Sequence, residues 1–213
     1  MSYSAPIDYV SIIGTSLLQP IVNLFEDMDS LNLNEPNEVQ ASSLENGYSA
    51  AITALTVVII ESFISRTQYI RGEKPPKRPM DFLQTTYPAS GLADILEELF
   101  VVRDVIVHNH VWEIKFLPDE LVGMKLVSAE LRGGYGDKKF KNVLNPQNRK
   151  TRKLSINLLP TKICRTDAVI VFKNALKFLL FLEGRDRRYV YISKQYVQFK
   201  GNPTLFTDFV ARL

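Results

Sequence analysis

Cysteine is almost absent from this chain: Cys164 is the only one in 213 residues. That excludes an intramolecular disulfide framework and any paired-cysteine zinc site, and it reads as the signature of a reducing, cytoplasmic compartment. Histidine is nearly as scarce, with two residues, so a His-rich metal centre is excluded too. Lys and Arg are missing altogether from residues 1–65, which removes the basic region a secretory signal needs. Long apolar runs are also lacking. The longest, Ala50 to Ile60, stops at Glu61 and is too short to span a bilayer, so no membrane role is expected.

What is present suits a globular protein. The hydrophobic share of 46% and the charged share of 23% are ordinary and sufficient for a buried core. The length fits one domain over residues 1–213 with an insertion. Charge is distributed unevenly. Residues 1–65 hold eight acids, so the net +3 is a balance of −8 there against +11 in the remainder. Such asymmetry predicts an anionic partner for the basic part, or docking of acidic on basic regions within or between chains.

Apolar periodicity predicts four helices. The first runs from about Ile7 to Met28, with Pro20 expected to kink or divide it. The second, about Leu44 to Ile70, is apolar nearly all round in its middle and should be the buried centre. It stops at Arg71-Gly72, before a proline-rich stretch at 74–79. A third follows Ser90, a candidate N-cap, and directs Ile95, Leu99, Val102 and Ile106 to the core. A fourth covers about Thr166 to Glu183, with Gly184 as its C-cap. Between the last two, over about 117–160, alternation predicts strands at Pro118–Leu131 and Lys153–Leu158 around a Gly133–Gly136 turn. A strand at Arg188–Ile192 and a short helix from Pro203 to Leu213 would finish the chain. The expected class is mainly α, a helical bundle with a small β insertion between its last two main helices.

Both histidines fall in Arg103-Asp104-Val105-Ile106-Val107-His108-Asn109-His110. Imidazole exchanges protons near neutral pH, and a guanidinium is a permanent planar fork for phosphate oxygens. On a helix Asp104 and His108 are neighbours four apart and can meet. Arg103 and His108, five apart, are separated by about 140° around the axis, an offset that a second copy of the chain could resolve. The β-branched residues here also allow a strand, on which His108 and His110 would share a face and form half of a metal site. The helical run Leu92–Phe100 leads into the segment without a breaker and opposes that alternative.

The Arg-polar-x3-His pattern, with Asp104 where Asn is commoner, resembles the motif of HEPN-domain ribonucleases over about Leu96 to Ile114. The resemblance implies a HEPN-like helical bundle that dimerises and places two motifs in one cleft. It also implies a metal-independent endoribonuclease, of the kind found in toxin–antitoxin or phage-defence systems, needing no cofactor. Arg103 and His108 would be catalytic, with Asp104, Asn109 and His110 in support. Attack of a 2′-OH on its phosphodiester would leave a 2′,3′-cyclic phosphate. RNA is the expected partner, together with a second copy and an antitoxin or other regulatory protein. Lys138, Lys139, Lys141, Arg149, Lys150, Arg152 and Lys153 crowd one segment and are candidate RNA contacts, with Tyr135 and Phe140 placed to stack on bases. Lys74, Lys77 and Arg78 form a smaller basic patch. An inert HEPN-like module that binds RNA or protein is the alternative, and a metal-binding protein using His108 and His110 is a second one.

Overall fold

The apolar run at 50–60 dictates the centre of the molecule. In the computed structural model, which describes residues 13–32, 38–108, 112–116, 124–126, 138–185 and 190–213, it lies inside one long helix, α2 (Ser43–Ile70). Ile52, Val57, Ile59, Ile60, Phe63 and Ile64 of α2 are all buried. Each such side chain contributes about 1.5–3 kcal/mol by leaving water. Thr56 and Thr67 are buried as well, and each donates its hydroxyl back to a carbonyl one turn earlier, Ile52 O at 2.6 Å and Phe63 O at 2.8 Å. Those bonds let polar residues sit in the apolar core. By length and composition α2 could cross a membrane, but half of its most apolar 18-residue window is buried within this fold.

Around α2 stand α1 (Leu18–Asp29), α4 (Ala93–Val107) and α6 (Arg165–Arg185), the last making the most extensive contact. The architecture is mainly α, as the periodicity predicts. Pro20 falls in the first turn of α1, where the missing N–H costs nothing, and a 3-10 turn at Gly14–Leu17 precedes it. Gly14 makes a close approach there. A Cβ at this position would stand 3.0 Å from the Phe63 ring.

Several boundaries differ from expectation. Ser90 is not the N-cap of α4: it ends a 3-10 turn at Pro88–Ser90, and Leu92 takes the cap position. The core face of α4 is also rotated. Leu96, Glu98, Leu99, Val101, Val102 and Val105 are buried, while Ile95 and Ile106 are half-buried. Gly184 does not cap α6, which continues to Arg185. A short helix, α3 (Pro79–Thr86), follows the proline-rich stretch. Proline reads as a breaker from the upstream side, yet at the first helical position it starts a helix, and Phe82 and Leu83 give this one a buried face.

The insertion is more mixed than a β element. Ile114–Phe116 (β1) pairs antiparallel with Met124–Leu126 (β2), and the rest of the Pro118–Leu131 prediction, like the Gly133–Gly136 turn, lies outside the described residues. A helix, α5 (Lys138–Val143), comes next, then a two-residue ladder of Leu144–Asn145 (β3) with Lys150–Thr151 (β4). Lys153–Leu158 is not a strand. It is a turn that returns to make one bridge, Asn157 to Lys150. After α6, residues 190–192 are not strand either; a hairpin forms instead from Tyr196–Phe199 (β5) and Asn202–Leu205 (β6), followed by α7 (Phe206–Arg212). Rings from α1, α6 and α7 join this end, with Phe172 5.5 Å from Phe25 and 5.4 Å from Phe206.

Three buried carboxylates hold the irregular segments to the helices. Glu98 of α4 accepts the Lys153 and Leu154 N–H groups at 2.8 and 2.9 Å. Asp167, in the first turn of α6, accepts the Asn157 and Cys164 N–H groups, both at 3.1 Å. Glu183 accepts the Ile192 and Ser193 N–H groups at 2.9 and 2.8 Å. A carboxylate accepting two backbone donors makes the burial of both partners tolerable.

Candidate functional site

Val101 to Val107 is helical, so the β-branched residues do not make a strand here. The propensity difference is a few tenths of a kcal/mol per residue, less than the gain from burying Val101, Val102 and Val105. The His-x-His strand therefore loses its footing up to Val107. Asn109 and His110 lie outside the described residues. Among the described residues, no three His, Cys, Asp or Glu side chains cluster closely enough to hold a metal ion.

Arg103 lies on the half-buried flank of α4, facing α2. Its Nη2 donates to Glu61 Oε1 at 2.8 Å. Its Nε stands 2.8 Å from Asp104 Oδ1, an ion-pair contact whose angle makes no hydrogen bond. Glu61 was missed as a site residue, although it carried a signal. It is the lone charge closing an apolar run, and such a carboxylate, dragged towards the core by its neighbours, needs a cation. Asp104 is correspondingly turned to Arg103. It offers His108 its backbone carbonyl, which accepts the His108 N–H at 2.9 Å.

Arg103 and Asp104 line an open cleft of about 330 Å3 between α2, α3, α4 and the start of α5. Arg78, Asp81, Glu97 and Lys139 are on the same wall. Three cations and four carboxylates thus share its lining, and one chain alone does not present a strongly positive surface. His108 caps α4 and is exposed, and it does not line this cleft. Arg103 and His108 are therefore not brought together within a single chain. Two exposed apolar side chains, Val107 and Ile114, flank His108 on the chain.

The basic segment divides three ways. Lys138, Lys139 and Lys141 are exposed on α5, and Lys139 reaches the Arg103 cleft. Arg149 and Lys150 line a different cavity. Arg152 donates through Nε to the Asn142 carbonyl at 2.8 Å, and the Lys153 ammonium pairs with Asp94. Those last two hold the turn to its neighbours. Phe140 cannot stack on a base: it is buried against Trp112, with ring centroids 6.3 Å apart. Tyr135 lies outside the described residues. In the smaller patch, Lys77 pairs with Glu73 at 3.3 Å, while Arg78 joins the cleft.

Comparison with protein-family models, curated proteins and solved structures gives no match.

The acidic beginning of the chain meets the basic remainder inside the molecule. Glu61 pairs with Arg103, Glu38 stands 3.8 Å from Arg149, and Asp29 bonds Arg165 at 2.9 Å. Three of the eight acids of residues 1–65 thus pair with basic residues of the same chain. The single thiol, Cys164, is half-buried beside Asp167, its Sγ 3.3 Å from Oδ2. Burial pushes it above the ordinary value of 9.0, and the Asp167 charge adds to the rise. It is a poor nucleophile at neutral pH.

Proposed function

We propose that this protein is a metal-independent endoribonuclease of the HEPN type, active as a homodimer whose site draws Arg103 from one copy and His108 from the other. The observation that carries the reading is the state of His108. It is exposed at the end of α4, next to the exposed Val107, with no partner for its ring among the described residues. An exposed imidazole at a helix end, next in sequence to the exposed Val107, suits a two-fold contact that delivers the imidazole to the Arg103 cleft of the partner. There His108 would relay the proton between the 2′-OH and the leaving 5′-oxygen, and the Arg103 fork would take charge on the phosphate. Lys139, at the edge of the cleft, and Lys138 and Lys141 beside it would hold the RNA backbone. An activity of this kind needs restraint in its host cell, so a neutralising partner is part of the proposal.

RNA cleavage in EDTA, by wild type and by His108→Ala, tests the chemistry. Cleavage with 2′,3′-cyclic phosphate ends that survives chelation and falls by about 10²- to 10⁴-fold in the variant is the expected result. Mixing Arg103→Ala with His108→Ala chains tests the shared site, since a mixed dimer regains one intact pair. Verified mixed dimers that stay inactive would remove the shared arrangement.

A second reading is favoured by one observation, the pairing of Arg103 with two carboxylates of its own chain. A guanidinium so neutralised suits a structural part, and the protein would then be an inert module binding RNA through α5. Binding without cleavage by the wild-type protein selects this reading.

A further inference from the structure

A second cavity, of about 540 Å3, opens between the β3–β4 turn, the start of α2 and the residues leading into α6. It shares no lining residue with the Arg103 cleft. We propose that it is a binding site for a free nucleoside monophosphate.

Charge comes first. Arg149, Lys150 and Lys162 line the cavity, against Glu38 and Glu45. Glu45 is already committed, accepting the Arg165 N–H at 2.9 Å. Glu38 lies 3.8 Å from Arg149 Nη1, beyond hydrogen-bond length. The Arg149 side chain keeps 30% of its surface exposed, and the described residues give the Lys150 ammonium no acceptor. Cations with open surface on a concave wall are suited to an anionic group.

Arg149 is also fixed in an unfavourable backbone state, with φ at 60°. A non-glycine residue holds that conformation only where its surroundings impose it. Here its N–H donates to Asn145 O at 2.8 Å and its carbonyl accepts the Leu158 N–H at 3.1 Å. The backbone that carries this cavity-lining arginine is thereby held in a defined turn, and a guanidinium is a planar fork for phosphate oxygens.

Size and the remaining lining select the rest of the ligand. The volume far exceeds that of a phosphate ion and falls in the range of small-molecule pockets. Ala41 and Leu159 supply an apolar wall for a base. Glu38 can accept an N–H from that base. Asn148 spends its side-chain carbonyl on the Lys150 N–H at 3.1 Å, which leaves its amide donors for a hydroxyl or ring acceptor. An anionic end and a hydrogen-bonding ring fit this mixture of charges better than a second cation or a purely apolar molecule.

The test is calorimetry on the full chain with the four common ribonucleoside 5′-monophosphates, their nucleosides, and inorganic phosphate. At least one monophosphate should bind, with its nucleoside and phosphate alone each weaker by about tenfold or more. Arg149→Asn removes the guanidinium and keeps a residue tolerant of positive φ, and Lys150→Gln removes the second cation without touching the turn. Each should weaken binding by about tenfold, with Lys141→Gln on α5 unchanged; if Arg149→Asn melts early, Lys150→Gln carries the comparison alone. His108→Ala should bind like wild type, which separates this site from the cleavage reading. The proposal is overturned if no monophosphate binds, or if the folded cavity variants bind as wild type does. An RNA hexamer without terminal phosphates that displaces the monophosphate at equal concentration also overturns it, because the cavity would then be a contact for the RNA backbone.

Discussion

Glu98 and Arg103 lie five residues apart on α4, and both are charged groups set among its apolar residues. Glu98 is 3% exposed and spends both oxygens on the backbone of the 153–154 turn. Arg103 keeps 23% of its side chain exposed and faces an open cleft, although Glu61 and Asp104 neutralise much of its charge. The contrast separates two uses of charge. One is a buried fastening; the other is held by its partners but still open to solvent. Composition and spacing would not tell them apart.

The largest effect should come from breaking the open member of the pair. Arg103→Lys keeps the charge and loses the fork, so kcat for RNA cleavage should fall by about 10²-fold with substrate binding changed far less. Thermal unfolding should move little, since half-exposed ion pairs contribute about 1 kcal/mol or less. Near-wild-type cleavage would assign Arg103 the same fastening role as Glu98.

Glu98→Ala should show the opposite signature. It strands two backbone donors and should lower stability by about 1–3 kcal/mol, read by denaturant unfolding. Cleavage per folded molecule should stay near wild type. A loss of cleavage without a loss of stability would place Glu98 in the working site and dissolve the contrast.

The basic segment sharpens the same distinction with a smaller effect. Replacing Lys138, Lys139 and Lys141 by Gln should flatten the salt dependence of RNA binding, by up to about 0.7 in slope for each lost phosphate contact. The corresponding change at Arg152 and Lys153, which serve their own turn, should leave the slope nearly unchanged while lowering stability. Equal slopes in the two variants would show that exposure on α5 does not mark the RNA path.

The smallest effect concerns Cys164. Its thiol is raised in the folded state, so the stability tied to the neutral form is complete below 9.0 and is lost as pH rises through the folded value. The melting temperature of wild type should therefore fall more steeply above pH 9 than that of Cys164→Ala. Parallel melting profiles would mean that the thiol is as hydrated as in the unfolded chain.

How much was legible follows from the range of the forces involved. Helical periodicity and the all-round apolar character of residues 50–60 are local, so α2 and α6 begin and end within two residues of their expected bounds and the mainly α class follows. Arg103 and His108 were marked by residue type and spacing alone, again a local signal. Chain order could not say that Arg103 would be held by Glu61, 42 residues away, or that His108 would stay outside the cleft. Nor could it divide the basic segment, because Lys139, Lys150 and Lys153 read alike until Asp94, Glu98 and the β3–β4 turn come into place around them. The sequence by itself determined which segments are helical and which residue types are available for chemistry. Only the tertiary structure decided which charges are buried, paired or open, because desolvation and pairing depend on neighbours that are distant along the chain and meet only in the folded core.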